Sequence, residues 1–175
     1  MADQAADQPF NVLFLCTGNS ARSILAESIL NRHGKGQFRG YSAGSHPNGK
    51  VNSFALDLLK RLDFPTEGLR SKSWDEFAAP ARPHLDFIIT VCDNAAGETC
   101  PVWFGKPTTA HWGIPDPAAV QGTDIEKKAA FDQAFKLIDT RIRSFLSLPI
   151  AGLDQRRIKE EMDLIGKMPV VHSSS

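Results

Sequence analysis

The chain has 175 residues and a mass of 19.2 kDa, and its 20 Lys and Arg balance 20 Asp and Glu. Its content of 42% apolar and 23% charged residues is typical of a globular protein. A zero net charge gives no reason to expect binding to nucleic acid or to an anionic membrane. No apolar run is long enough to span a bilayer, and the first ten residues, with two Asp and no Lys or Arg, do not resemble a secretory signal. We therefore expect a soluble, cytoplasmic protein that binds neither nucleic acid nor membrane.

Segments typical of strands and of helices alternate along the chain. Short apolar runs predict strands at residues 11–16, 38–43, 85–91 and 108–112. Helices are predicted at residues 23–33, 52–62, 73–77, 124–146 and 154–165. This alternation predicts a parallel β-sheet covered by helices on both faces. We assign it to one catalytic domain at residues 10–149, followed by a C-terminal extension with a short helix at residues 150–175.

Three cysteines in a chain of this length do not form a disulfide scaffold. An odd number of cysteines in an intracellular protein indicates free thiols, a metal site or redox chemistry. Cys16 ends the first predicted strand and Cys92 follows the third. Because parallel sheets bind ligands at the carboxyl ends of their strands, both thiols are candidates for a functional site.

The segment after the first strand, residues 16–23 with the sequence CTGNSARS, has no carboxylate and consists mostly of small residues. Its backbone N–H groups and the following helix N-terminus predict an anion site. The candidate binding residues are Thr17, Gly18, Asn19, Ser20, Ala21, Arg22 and Ser23. The Arg22 guanidinium suits a tetrahedral oxyanion. The positive field of the loop N–H groups and Arg22 should lower the pKa of Cys16. Ser23 could donate its hydroxyl proton to the same sulfur. The alternative is that Cys16 is only a small apolar residue at a strand end and Arg22 only a solvated helix residue. It does not explain why a strand before Cys16, five residues between Cys16 and Arg22, and a helix after them occur together.

Cys92 and Cys100 lie in one loop after the third strand. Gly97 and its small neighbours make this loop flexible enough to bring the two sulfurs together, and closing so short a loop costs modest entropy. Two alternatives are a pair of unrelated thiols and a zinc site formed by the three cysteines with His111. The spacing of Cys92 and Cys100 is not that of usual zinc ligands, so we predict no metal.

Residues 12–27, VLFLCTGNSARSILAE, resemble the opening of low-molecular-weight protein tyrosine phosphatases and of the arsenate reductases built on that fold. The resemblance continues through residues 41–44 and 71–75 to residues 115–117, and it covers about residues 11–147. It implies a compact α/β fold with four parallel strands in the order 2-1-3-4. The motifs around Cys100 and His111 look like those of thioredoxin-coupled arsenate reductases. Compared with those enzymes, the segment between Cys92 and Cys100 is one residue longer and Ala21 replaces a cysteine.

The resemblance implies an arsenate reductase that works by three thiol steps without a bound organic cofactor. Cys16 attacks arsenate held by the loop and Arg22, while Asp116, whose backbone is stiffened by two flanking prolines, protonates the departing oxygen. Cys92 then attacks Cys16 and arsenite leaves, and Cys100 attacks Cys92 to form a disulfide that thioredoxin or a similar thiol reductant can reach. A turn-forming Asp116 is the alternative for that residue. For the whole protein, the alternatives are a phosphatase and a thiol redox sensor or oxyanion-binding module without turnover.

Asn19, Glu27 and Ser42 match residues that hold the shape of the loop in the family, where some reductases bind potassium. Lys72 aligns with a position at which those reductases carry an acidic ligand. Our hypothesis is that the Lys72 ammonium group takes the place of the ion.

Overall fold

The computed structural model describes residues 8–78, 83–92 and 106–168. Its strands are β1 at Phe10–Cys16, β2 at Phe38–Gly44, β3 at Phe87–Thr90 and β4 at Thr108–His111. All pairings are parallel, and the strand order is β2-β1-β3-β4, which confirms the predicted sheet. β3 is shorter than predicted because its pairing with β1 and with β4 covers only residues 87–90.

The described residues form helices α1 at Arg22–His33, α2 at Ser53–Arg61, α3 at Asp75–Ala78, α4 at Asp124–Leu146 and α5 at Gln155–Gly166. Side-chain caps explain three of the starting points. Asn52 accepts the Phe54 N–H, Thr123 forms a capping box with Glu126, and Asp154 accepts the Arg157 N–H. None of these helices is long and apolar enough to cross a membrane.

The core lies on both faces of the sheet. Val12 and Phe14 of β1 are fully buried on the face covered by α1, α2, α4 and α5, and Leu13 and Leu15 are fully buried on the face covered by Trp74 and α3. Burial on both faces explains why β1 is a continuous apolar run rather than an alternating one. It also fixes the end of β1, where Cys16 lies.

Helix α5, from the predicted C-terminal extension, packs along β4 at the edge of the sheet. Lys159 Nζ donates to the Thr109 carbonyl at 2.6 Å, and the Trp112 indole N–H donates to the Met162 carbonyl at 2.9 Å. Gly166 lies so close to β4 that a Cβ atom there would be 2.4 Å from the His111 carbonyl oxygen. These contacts attach α5 to the end of β4. The predicted domain boundary at residue 149 stays a prediction.

Candidate active site

The loop that joins β1 to α1 turns three of its carbonyl groups outward, toward donors from neighbouring segments. The bonds run from the His46 N–H to the Thr17 carbonyl, from the Asn48 N–H and the Ser71 hydroxyl to the Gly18 carbonyl, and from the Asn52 N–H to the Ser20 carbonyl, all at 2.9–3.0 Å. Across a trans peptide the next N–H points the opposite way, so the N–H groups of Gly18, Asn19 and Ala21 face the inside of the loop. The loop therefore has the form of an anion cradle at a helix N-terminus. That it binds an oxyanion stays a prediction.

Asn19 holds this loop from within. It is fully buried with φ at 46°, its Nδ2 donates to Ser23 Oγ at 2.8 Å, and its Oδ1 accepts the Lys72 N–H at 2.9 Å. Ser23 Oγ is the acceptor in this bond, so its own hydroxyl proton remains available, and donation from Ser23 to Cys16 stays a prediction. Gly44 lies directly behind the loop, where a Cβ atom would be 2.4 Å from the Thr17 carbonyl oxygen. The loop needs a glycine at this position.

The thiols of Cys16 and Cys92 lie side by side at the ends of adjacent strands. Both cysteines are buried, with 6% and 3% of their surfaces exposed, and Cys92 is the strongest influence on the pKa of Cys16. The Thr17 N–H donates to Cys92 Sγ at 3.3 Å, and Thr17 Oγ1 is 3.6 Å from the same sulfur. Cys92 is therefore held against the loop, next to the predicted nucleophile.

The Cys92 hydrogen bond and burial raise the pKa of Cys16, and they outweigh the Arg22 guanidinium and the Thr17 backbone N–H, which lower it. The sequence-based prediction of a lowered pKa is therefore wrong for this arrangement of the thiols. That prediction counted the positive field of the loop but not a second sulfur in contact with the first.

Arg22 and Asp116, the predicted oxyanion ligand and the predicted acid, lie next to each other. Arg22 Nη1 donates to the Ile114 carbonyl at 2.8 Å, and Arg22 Nη2 is 3.6 Å from Asp116 Oδ2. Asp116 also accepts the Ala118 N–H at 2.9 Å, and it thereby caps the 3₁₀ turn at Pro117–Ala119. The turn-forming role of Asp116 is present together with the position next to Arg22, so the two interpretations are compatible.

Residues 11–163 match the family model described as low molecular weight phosphotyrosine protein phosphatase. The chain belongs to this family. It is 34% identical to an arsenate reductase of Halalkalibacterium halodurans and 32% identical to one of Bacillus subtilis, over 134 residues that make up 77% of this chain and 93% of each relative. A crystal structure of an arsenate reductase from Archaeoglobus fulgidus superposes with a TM-score of 0.63 at 25% identity, covering 78% of this chain and 99% of that one.

The match to the low molecular weight phosphatase family includes each described element that builds the site. It begins within β1 and extends into α5, and it contains Cys16, Arg22, Cys92 and Asp116. The structure brings these four residues together at the carboxyl end of the sheet. Cys100 lies outside the described residues.

A partly buried ion pair lies behind the loop. Ser42 Oγ donates to Glu27 Oε1 at 2.5 Å, Lys72 Nζ is 4.0 Å from the same oxygen, and Lys72 Nζ donates to the Arg70 carbonyl at 2.8 Å. Burial raises the pKa of Glu27 and lowers that of Lys72, and the charge of each residue opposes the shift of the other. Because an ammonium group already faces this carboxylate, the donor set does not suit a potassium ion, which agrees with the hypothesis for Lys72.

Two features of the site were missed from the sequence. The outer donors at His46, Asn48 and Asn52 act through backbone N–H groups, which give no residue-type signal. The bond from Arg22 to the Ile114 carbonyl was missed for the same reason. The motif at residues 111–117, with Asp116 between two prolines, was the sign in the sequence that this segment belongs to the site.

Proposed function

We propose that this protein is an arsenate reductase that converts arsenate to arsenite by a relay through Cys16, Cys92 and Cys100. The observation that carries the proposal is the position of the Cys92 thiol beside Cys16, where the Thr17 N–H donates to Cys92 Sγ at 3.3 Å. Hydrolysis needs one nucleophilic thiolate and has no use for a second buried thiol beside it. Reduction of arsenate needs two electrons, which a thiol beside the nucleophile can supply. The arsenate reductases among the relatives support the same choice.

The first step forms a bond between Cys16 Sγ and arsenic. Inward N–H groups of the loop and the Arg22 guanidinium hold the arsenate oxygens and stabilise the charge that develops on them. Asp116, 3.6 Å from Arg22, gives a proton to the oxygen that leaves as water. The product is a thioester of arsenic on Cys16, with arsenic still in the pentavalent state.

In the second step, Cys92 attacks Cys16 Sγ and the sulfur–arsenic bond breaks. Its electron pair stays on arsenic, which leaves as arsenite, while the two sulfurs are oxidised to a Cys16–Cys92 disulfide. The Thr17 N–H, 3.3 Å from Cys92 Sγ, stabilises the thiolate that makes this attack. Cys100 then displaces Cys16 and forms a Cys92–Cys100 disulfide, which a dithiol protein such as thioredoxin reduces.

A single-turnover experiment with Cys100→Ser tests the relay. This variant should produce one equivalent of arsenite and stop with a Cys16–Cys92 disulfide, detected by mass spectrometry of peptides without reduction. Cys16→Ser is the control and should produce none. Continued turnover of Cys100→Ser with thioredoxin would rule out the relay.

A phosphatase is the second candidate, because the family match, the loop, Arg22 and Asp116 suit phosphate monoesters as well. The two functions differ in their need for Cys92. A reductase loses arsenate reduction in Cys92→Ser, while hydrolysis of phenyl phosphate continues. If the wild-type protein hydrolyses phenyl phosphate efficiently, does not reduce arsenate, and keeps its full activity in Cys92→Ser, the phosphatase is the correct function.

A further inference from the structure

Arg141 of α4 is a buried cation without a carboxylate partner among the described residues. Only 3% of its surface is exposed, its Nη1 donates to the Gly113 carbonyl at 2.9 Å, and its Nη2 donates to the Met168 carbonyl at 3.2 Å. Its Nε is buried and has no hydrogen-bond partner in the described part of the chain. Burying a guanidinium group against carbonyls alone is costly, since no opposite charge offsets the lost hydration. A leucine or methionine here would fill the same space without that cost.

The carbonyl that Arg141 binds belongs to the segment that forms one wall of the active site. Gly113 is followed by Ile114, whose N–H donates to the Val91 carbonyl at 3.0 Å and whose carbonyl accepts from Arg22 at 2.8 Å. Asp116 comes two residues later. The segment 113–116 is therefore attached at three points: to the end of β3, to the oxyanion ligand and, through Arg141, to α4.

The second bond of Arg141 reaches the residues that follow α5. Met168 follows α5, and α5 in turn accepts the Trp112 indole N–H through the Met162 carbonyl. Trp112 directly precedes Gly113. The guanidinium of Arg141 and the indole of Trp112 thus connect α4 and α5 to the beginning of the segment that carries Asp116.

We propose that Arg141 is a positioning residue that holds the segment 113–116 so that Asp116 stays in place beside Arg22. The proposal rests on the proposed function, because it takes Asp116 as the acid of the first step. Arg141 does not touch the substrate; it acts through the Gly113 carbonyl. An error of about 1 Å in the position of an acid lowers a rate by up to roughly 100-fold, so loss of this bond should affect turnover more than substrate binding.

Steady-state kinetics of Arg141→Met and Arg141→Lys test this role. We expect Arg141→Met to lower kcat for arsenate reduction about 10- to 100-fold and to change KM by less than about threefold. Lysine should restore part of kcat because its ammonium group can still donate to the Gly113 carbonyl. Arg143→Met is the matched control, since Arg143 lies on the same helix with a side chain that is 62% exposed, and it should leave kcat unchanged. An effect on KM alone would overturn the proposal.

A double-mutant cycle with Asp116→Asn separates positioning from general destabilisation. If Arg141 acts through Asp116, Arg141→Met should lower kcat by less than about twofold in the Asp116→Asn background, because the acid is already absent. Equal factors in both backgrounds would mean that Arg141 does not act through Asp116. The cycle is repeated with Arg141→Lys, which keeps the buried charge, so that the result does not depend on the folding of Arg141→Met.

Hydrolysis of phenyl phosphate tests the role of Arg141 without requiring that the protein reduce arsenate. Its leaving group also needs a proton, so the same cycle reports on Asp116 even if the protein does not reduce arsenate. Hydrogen exchange gives a readout independent of activity: in Arg141→Lys, the Ile114 N–H should exchange faster than in the wild type, while the N–H groups in the middle of α4 keep their rates. Unchanged exchange at Ile114, together with unchanged kcat, would overturn the proposal.

Discussion

Replacing Cys92 with alanine should make Cys16 a thiolate at lower pH, although it ends arsenate reduction. In the structure the Cys92 hydrogen bond is the largest of the influences that raise the pKa of Cys16, and the charge of Cys92 adds to it. Without Cys92, burial is the remaining influence that raises the pKa of Cys16, while the Arg22 guanidinium and the Thr17 N–H still lower it. The pKa of Cys16 therefore falls, and its thiolate fraction at neutral pH rises.

The size of the effect follows from one hydrogen bond. Such a bond contributes about 1–1.5 kcal/mol, and about 1.4 kcal/mol changes the thiolate fraction tenfold. A lower pKa also makes the thiolate a weaker nucleophile, and this loss cancels about half of the gain on a logarithmic scale. The net gain in reaction rate is therefore about threefold. We expect Cys16 of Cys92→Ala to react with iodoacetamide about three times faster at pH 7, with a pH midpoint lower than that of the wild type.

The assay follows alkylation of the peptide that contains Cys16 by mass spectrometry between pH 5 and pH 10. Both proteins carry Cys100→Ser, so that the third thiol does not consume reagent. Inorganic phosphate should slow alkylation of both, because the loop and Arg22 are intact in each. A midpoint for Cys16 that is unchanged or higher in Cys92→Ala would refute the argument that Cys92 raises this pKa.

Two further substitutions test the support of the loop. Gly44→Ala should abolish arsenate reduction and lower the melting temperature, because its Cβ atom would lie 2.4 Å from the Thr17 carbonyl oxygen and overpacking costs about 1–3 kcal/mol; normal activity would show that the loop tolerates a shift. Lys72→Met should destabilise the fold by about 1–3 kcal/mol at pH 7, since it leaves the partly buried Glu27 carboxylate without its cation. Burial raises the pKa of Glu27, so the loss should shrink as the pH falls toward 4 and Glu27 is protonated, and urea unfolding at both pH values measures it. Potassium should change neither the activity nor the melting temperature of the wild type, and a clear response to it would contradict the role given to Lys72.

The elements of the fold could be predicted because their signals are local. The capping residues Asn52, Thr123 and Asp154 begin helices within a residue of the predicted positions, and β1 is apolar throughout because it is buried on both faces. The strand order came from the resemblance to the family, since pairing between distant segments leaves little trace in a single sequence. Cys16 and Cys92 could be placed at one end of the sheet because each follows a strand.

The contacts between those residues depend on side chains from distant segments, and they were harder to foresee. Arg141 shows this clearly: it lies four residues from both Leu137 and Phe145, within the buried face of α4. An arginine in that apolar stripe is a signal that the sequence contained and that we did not use. Its partner, the Gly113 carbonyl, is backbone and carries no signal of its own.

The relation between the two thiols separates reduction from hydrolysis more clearly than the anion loop does. The loop, Arg22 and Asp116 serve any tetrahedral oxyanion, so they leave the choice between arsenate and a phosphate monoester open. Because β1 and β3 are neighbours in the sheet, the residues that follow them meet at its carboxyl edge, and the Thr17 N–H reaches the Cys92 sulfur at 3.3 Å. A phosphatase gains nothing from this contact, because hydrolysis uses only one thiolate, and the raised pKa of Cys16 slows the first step of either reaction. A reductase needs it, because the bond that releases arsenite forms between these two sulfur atoms.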